Sequence, residues 1–307
     1  MQDREAARGV IRGNGTVNAC VLTGDGYGNQ IMATPVVAAL ASMGWTVDML
    51  ITHGPPGADG LFAGWDAVRA VHTGSVHGAK YDLCYVTRWG KGAMHPPAAR
   101  VVSTVHDLAE IHETELNIVP AREHLGYAGD TPPCHVETDT PTEGGYIVLA
   151  PGHGGDRGYW ARKAWPHWAE LGRLAIRAGR RVLVLGARDD SADWTRGYDS
   201  RCGTQSIRAA ATIIRGAAGV IACDNGLAHI AAALGVPTVV LFGATTEVKK
   251  RPLGARVVTA GVDCRPCQHT DRWAGCSDWR CMADIRPGDV WAQFEEVEVC
   301  DTVRMTR

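Results

Sequence analysis

The chain has 307 residues, a formal net charge of −2 and 45% hydrophobic residues, a size that suits two ordinary domains better than one. The near-neutral balance, with no block of like charges, gives no bulk reason to expect long nucleic acid or an anionic membrane surface as a partner. No long uncharged apolar run offers a transmembrane helix, and the polar stretch 1–15 lacks the apolar core of a secretory signal, so a cytoplasmic protein with reduced cysteines is the expectation.

In chain order, residues 17–22 read as a strand, 23–30 as a Gly-rich loop, 31–42 as an apolar helix, 46–51 as a strand and 53–64 as a loop rich in Gly and Pro. Residues 82–85 and 100–105 read as further strands, and 109–125 as a helix that Pro120 should kink or break. Composition then shifts. Residues 126–145 carry Gly, Pro, Thr and acidic side chains with little apolar periodicity, and read as an interdomain linker. Beyond it, strands at 146–150, 181–185, 219–223 and 238–242 alternate with helices at 165–178, 206–216 and just after Gly226, and 287–299 forms a last helix. The alternation predicts an α/β fold in two domains, 1–135 and 146–307.

The run Cys223-Asp224-Asn225-Gly226-Leu227-Ala228-His229 joins a strand to a helix through a polar turn. At the carboxyl end of a parallel strand such a turn presents free backbone N–H groups, which favour anions. Gly226 lets a ligand approach the backbone closely. Taken alone, the run also fits a plain βαβ unit with a capping Asp and a buried His. Read through to Ala232-Ala233-Leu234-Gly235, Pro237 and Phe242-Gly243, it resembles the donor-site motif of glycosyltransferase family 9, the heptosyltransferase-like family. Asn225 stands where Ser or Thr is usual.

That resemblance extends over residues 17–299 and implies the GT-B architecture, two Rossmann-like domains facing across a cleft. It assigns the acceptor to the first domain and the nucleotide-sugar donor to the second. The implied reaction moves a sugar, with inversion, from a nucleotide-diphosphate donor (ADP-heptose-like or another) to an acceptor hydroxyl. The implied partners are that donor and a glycan or lipid-linked acceptor, with no cofactor required for catalysis. Two other readings stay open: a sugar-nucleotide-binding module without catalysis, and transfer to an unusual acceptor such as a modified nucleobase or a protein.

The resemblance also carries site residues. Aligned on Thr34-Pro35, Gly28 matches the family Gly, and Asn29 falls where the family has its proposed general base, an Asp. Asn cannot take a proton at neutral pH, so either Asp25 supplies the carboxylate or Asn29 orients the acceptor beside another base. An Asx-turn at Asp25 and a helix cap at Asn29 are the structural alternatives. Lys163, before Trp165-Pro166, falls on the family Lys that would neutralise the departing diphosphate, with Arg157 and Arg162 in support. Trp165 and Trp168 read as core anchors. After a further strand, Asp189 or Asp190 would accept ribose hydroxyls or cap a helix. His229, in the first turn of its helix, would donate to a phosphate or sugar oxygen. Asp224, Asn225 and Gly226 complete the donor set. The family often has a His-Glu-like pair where His112-Glu113 stands, which leaves a role near the acceptor open; the plainer reading is a surface pair. Cys264, Cys267, Cys276 and Cys281 form two pairs, the first a C-x-x-C, and suit either a structural zinc held by thiolates or plain reduced cysteines stiffening a loop. His269, Arg272 and Trp273 lie between them.

Overall fold

The computed structural model describes residues 16–75, 78–88, 95–104, 111–154, 157–268 and 270–305. The chain divides into two units, Met1–Glu137 and Thr138–Arg307. The first is built on β1 (Asn18–Thr23), α1 (Tyr27–Ser42), β2 (Thr46–Ile51), β3 (Ala70–Thr73), β4 (Tyr81–Val86), β5 (Ala98–Ser103) and α2 (Glu113–Leu125). Its strands pair in the order β3-β2-β1-β4-β5, and every pair is parallel. Chain order reverses between β1 and β4, the place where α/β sheets open a ligand crevice.

The second unit contains β6 (Ile147–Ala150), α3 (Trp168–Arg177), β7 (Val182–Val184), β8 (Asp199–Ser200), α4 (Ile207–Gly216), β9 (Gly219–Cys223), α5 (Gly226–Ala233), β10 (Thr238–Phe242), β11 (Arg256–Thr259) and α6 (Pro287–Met305). The order is β11-β10-β9-β6-β7-β8, again parallel throughout. Here the reversal falls between β6 and β9. These central strands are wholly buried, as their unbroken apolar runs require when helices cover both sheet faces.

Most elements lie where the sequence places them, and the differences have local causes. The first helix starts at Tyr27, not residue 31, so much of the expected Gly-rich loop is already its first turn. Gly26 is the extended residue before it, and glycine in that first turn hides the helical signal. The third helix starts at Trp168 rather than 165. Pro120 does not break α2, which runs from its His112 cap, where the ring accepts from Thr114 N, to Gly126 at φ 80°. Strands β3 and β11 escape the sequence reading because they are short and lack a buried run.

Residues 126–145 hold no helix or strand, but their polar groups are tied down. On the first unit, His135 N donates to Thr34 Oγ1 (2.9 Å), Glu137 N to Leu61 O (2.7 Å), and the His135 ring stacks on Trp65. On the second, Asp139 meets Arg208, and Glu143 meets both Arg181 and Arg201.

The core of the second unit gathers Ile147, Leu149, Leu171, Ile221, Leu241 and Phe294 around Trp165 and Trp168, which act as the expected anchors. Trp165 Nε1 donates to Ile285 O at 3.0 Å, so the buried indole is satisfied.

Candidate functional site

The richest polar cluster sits at the β6/β9 reversal. β9 ends at Cys223, and Asp224-Asn225 turns the chain into α5. Asn225 is the cap of that helix: its Oδ1 accepts from Ala228 N at 3.1 Å. Its Nδ2 donates to Ala150 O (3.0 Å) and Gly152 O (2.7 Å), stitching the end of β6 to the start of α5. Ser or Thr caps equally well but has only one hydrogen to give, so Asn here adds a brace that those residues lack.

Asp224 is 9% exposed. Lys163 Nζ donates to its backbone O at 2.6 Å and lies 3.3 Å from its Oδ2, which also accepts from Thr245 Oγ1 at 2.9 Å. Burial alone would raise the carboxyl pKa. The Lys163 charge, then that of His229 and the hydrogen bonds from Thr245 and Lys163, outweigh burial and hold it below the usual value. His229 is buried one turn into α5. Lys163, Asp224, Asn225, Gly226 and His229 thus come together around one helix N-terminus.

Of the two acidic candidates after β7, Asp190 is the one set against this rim. Its Oδ2 accepts from Ala187 N at 2.7 Å, and a Cβ on Gly152 would lie 2.5 Å from it. Asp189 is exposed. Thr245 is a member of the cluster that sequence reasoning missed. The available signal was its place just past β10, beside β9 in the sheet.

In the first unit, Asp25 is exposed directly after β1, Gly28 lies in the first turn of α1, and Asn29 is the third residue of that helix. A second feature was missed here. Thr23, Thr87 and Thr104 close β1, β4 and β5 side by side, each almost fully buried. Thr87 Oγ1 donates to Leu22 O at 2.8 Å, whereas the hydroxyls of Thr23 and Thr104 and Oε1 of buried Gln30 have no hydrogen-bond partner. A threonine just past each apolar run was the legible sign. His112-Glu113, read as a surface pair, is not one: Glu113 is fully buried, and Arg88 Nη1 lies 3.6 Å from its Oε2.

Cys264 is exposed, Cys276 half-buried, and Cys267 and Cys281 buried. Burial, then the neighbouring thiols, raise Cys267 and push Cys281 up to about 11. Among the described residues no group of three or more His, Cys, Asp or Glu is placed to hold a metal ion. His269 lies outside the described residues. Among the described residues no helix is long and apolar enough to cross a membrane.

The sequence model of glycosyltransferase family 9 (heptosyltransferase) matches residues 68–276. Lipopolysaccharide heptosyltransferase 1 of Escherichia coli is 28% identical over 190 residues, 57% of this chain and 57% of that protein. The protein of the same name from Pseudomonas aeruginosa is 32% identical over 118 residues, 35% of this chain and 33% of that protein. The matches therefore span about a third to somewhat over half the length of these relatives. The solved E. coli ADP-heptose lps heptosyltransferase II superposes with a TM-score of 0.69 at 16% identity, over 93% of this chain and 99% of that one. The shared fold is GT-B.

Proposed function

The chain belongs to glycosyltransferase family 9, and from that premise we propose that it moves a sugar from a nucleotide-diphosphate donor to a hydroxyl of a glycan or lipid-linked acceptor, with inversion. The observation that carries the reading is the Lys163–Asp224–Asn225 cluster at the N-terminus of α5. The donor diphosphate seats against the free N–H groups of Gly226 and Leu227, where the helix dipole favours negative charge. The Lys163 ammonium faces the same charge. As the bond from anomeric carbon to phosphate oxygen breaks, the electron pair leaves with the nucleoside diphosphate, and fixed donors stabilise it without reorganising. His229 donates to a phosphate or sugar oxygen, and the acidic turn at Asp189-Asp190 takes the ribose hydroxyls. Asp25 removes the acceptor hydroxyl proton as that oxygen attacks the anomeric carbon, while Asn29 orients the hydroxyl. An ADP-heptose-like donor is favoured, because the E. coli protein of the same fold is an ADP-heptose lps heptosyltransferase. The setting is cytoplasmic, where nucleotide-activated sugars are made.

Kinetics with purified protein and a panel of ADP-, UDP- and GDP-sugars test this. Lys163→Ala should lower kcat by about 10²–10³, the usual effect of removing one fixed donor to a developing charge. Asp25→Ala should abolish transfer while leaving nucleotide affinity within about twofold, since a base acts only on the acceptor. Full activity in Asp25→Ala would remove it as the base. Donor binding by the wild type with neither transfer nor hydrolysis would favour the non-catalytic module that Asn29 brings to mind.

A further inference from the structure

The cysteine-rich segment after β11 has no role in the scheme above, yet it is joined to the lysine that the scheme depends on. Lys163 Nζ lies 4.5 Å from the centroid of the Trp160 ring, with the Asp224 backbone O at 2.6 Å and its carboxylate at 3.3 Å as the other contacts. Lysine has four rotatable bonds and three donors, and nothing intrinsic fixes its head. Here a ring face closes one side and desolvates the charge, the setting in which a cation–π contact is strongest.

Trp160 is itself held. Trp273 meets it at 5.9 Å and 75°, Tyr159 meets it edge-on at 4.7 Å, and Tyr159 and Trp273 touch at 4.9 Å. Trp273 is 5% exposed and lies in the short helix Asp271–Gly275, between Cys267 and Cys276. Arg162, the residue before Lys163, bolts the two segments together: its Cζ sits 5.2 Å above the Trp273 ring, and its Nη2 donates to Ala274 O at 3.3 Å. Arg162 and Lys163 therefore engage two rings of one aromatic cluster, one supplied by the cysteine-rich segment and the other by the short helix Arg157–Trp160 after β6.

We propose that Trp160 is a positioning residue for Lys163, and that the cysteine-rich segment acts through Trp273 to keep its ring in place over the ammonium. Assigning Lys163 to the donor phosphates rests on the function proposed above. The ring bridge stands without it.

Two readouts separate these claims. The first needs no nucleotide: the rate of Lys163 acetylation by N-hydroxysuccinimidyl acetate, followed by peptide mass spectrometry against exposed Lys80. Trp160→Leu fills space without a π face, so it should raise the Lys163 rate about three- to tenfold, Trp273→Leu should raise it as well, and Trp160→Phe should restore it. The second is calorimetric titration with ADP. Trp160→Leu should weaken Kd about three- to tenfold, Trp160→Phe should not, and Trp160→Leu should add nothing to Lys163→Ala. A merely structural role would lower the fraction of binding-competent protein without changing its Kd. An unchanged acetylation rate in Trp160→Leu overturns the bridge, as does an equal loss of affinity when Lys163 is already absent. If the wild type binds neither ADP nor UDP, the donor reading falls while acetylation still decides the bridge. Should Trp160→Leu fail to fold, Trp160→Phe against Trp273→Phe carries the same comparison. Both would then hold Lys163 at the wild-type rate, and a rise in Trp160→Phe alone would overturn the ring-face account.

Discussion

The side chain of Thr245 is buried and donates one hydrogen bond, to the Asp224 carboxylate. Thr245→Val keeps the shape and removes that bond, and a hydrogen bond to a charged group contributes about 1.5–3 kcal/mol. The deficit has a defined pH dependence. The folded-state pKa of Asp224 lies below its unfolded value. Its ionised contacts therefore contribute full stability above about pH 4, and that stability is lost as pH falls through the folded pKa. Denaturant melts of wild type and Thr245→Val should differ by about 2 kcal/mol at pH 7 and converge below about pH 4. A gap that stays constant after acid has protonated the Asp224 carboxylate would show that the hydroxyl does not act on its charged form. At this scale the sequence was partly legible. Lys163, Asp224 and His229 carry charge in a motif and can be singled out. Thr245 and the row of Thr23, Thr87 and Thr104 show in the sequence only as threonines at the ends of apolar runs; what each one faces depends on which strand ends lie beside it, and that is a property of the folded sheet.

Elements were easier to read than their ends. A buried parallel strand must be apolar on both faces, so β6, β9 and β10 stand out as unbroken runs, whereas β3 and β11 are bordered by solvent and leave no such trace. The packing of α6 is a tertiary fact of the same kind. Its Phe294 side chain is fully buried and lies over Gly219 at the start of β9. A Cβ at residue 219 would run into the Phe294 ring and meet Pro237 O at 3.0 Å, so glycine here makes room rather than a turn. Gly219→Ala should destabilise the protein by about 1–3 kcal/mol, the usual cost of overpacking a close-fitted core. Phe294→Leu in that background should restore part of it, because the ring is the nearer obstacle, while the Pro237 carbonyl cannot move aside. Two single variants and the double in chemical denaturation give the coupling. Strict additivity would mean that the helix does not press on β9 at this glycine.

At the scale of the whole chain, each unit has its own parallel sheet, and the polar stretch between them divides its bonds, residues up to Glu137 on the first and Asp139 to Gly145 on the second. The composition of 126–145 marked it as a connection, but not that its polar groups are spent on either side. The donor contacts proposed above, Lys163, Asp189-Asp190, Gly226, Leu227 and His229, belong to the second unit. A nucleotide that binds only the folded state stabilises what it binds by mass action, about 2.7 kcal/mol at a hundred times Kd. For a unit of this size that is a rise of about 5–10 °C in its transition. Scanning calorimetry of the full chain with saturating ADP should therefore move one transition and leave another where it was. Lys163→Ala, which binds ADP more weakly, should reduce the movement at a fixed ADP concentration. Asp25→Ala lies in the unit without the diphosphate contacts and should preserve it, even though it stops transfer. A single transition that moves as a whole would mean that the two units unfold together, and donor binding would then protect the acceptor side as well.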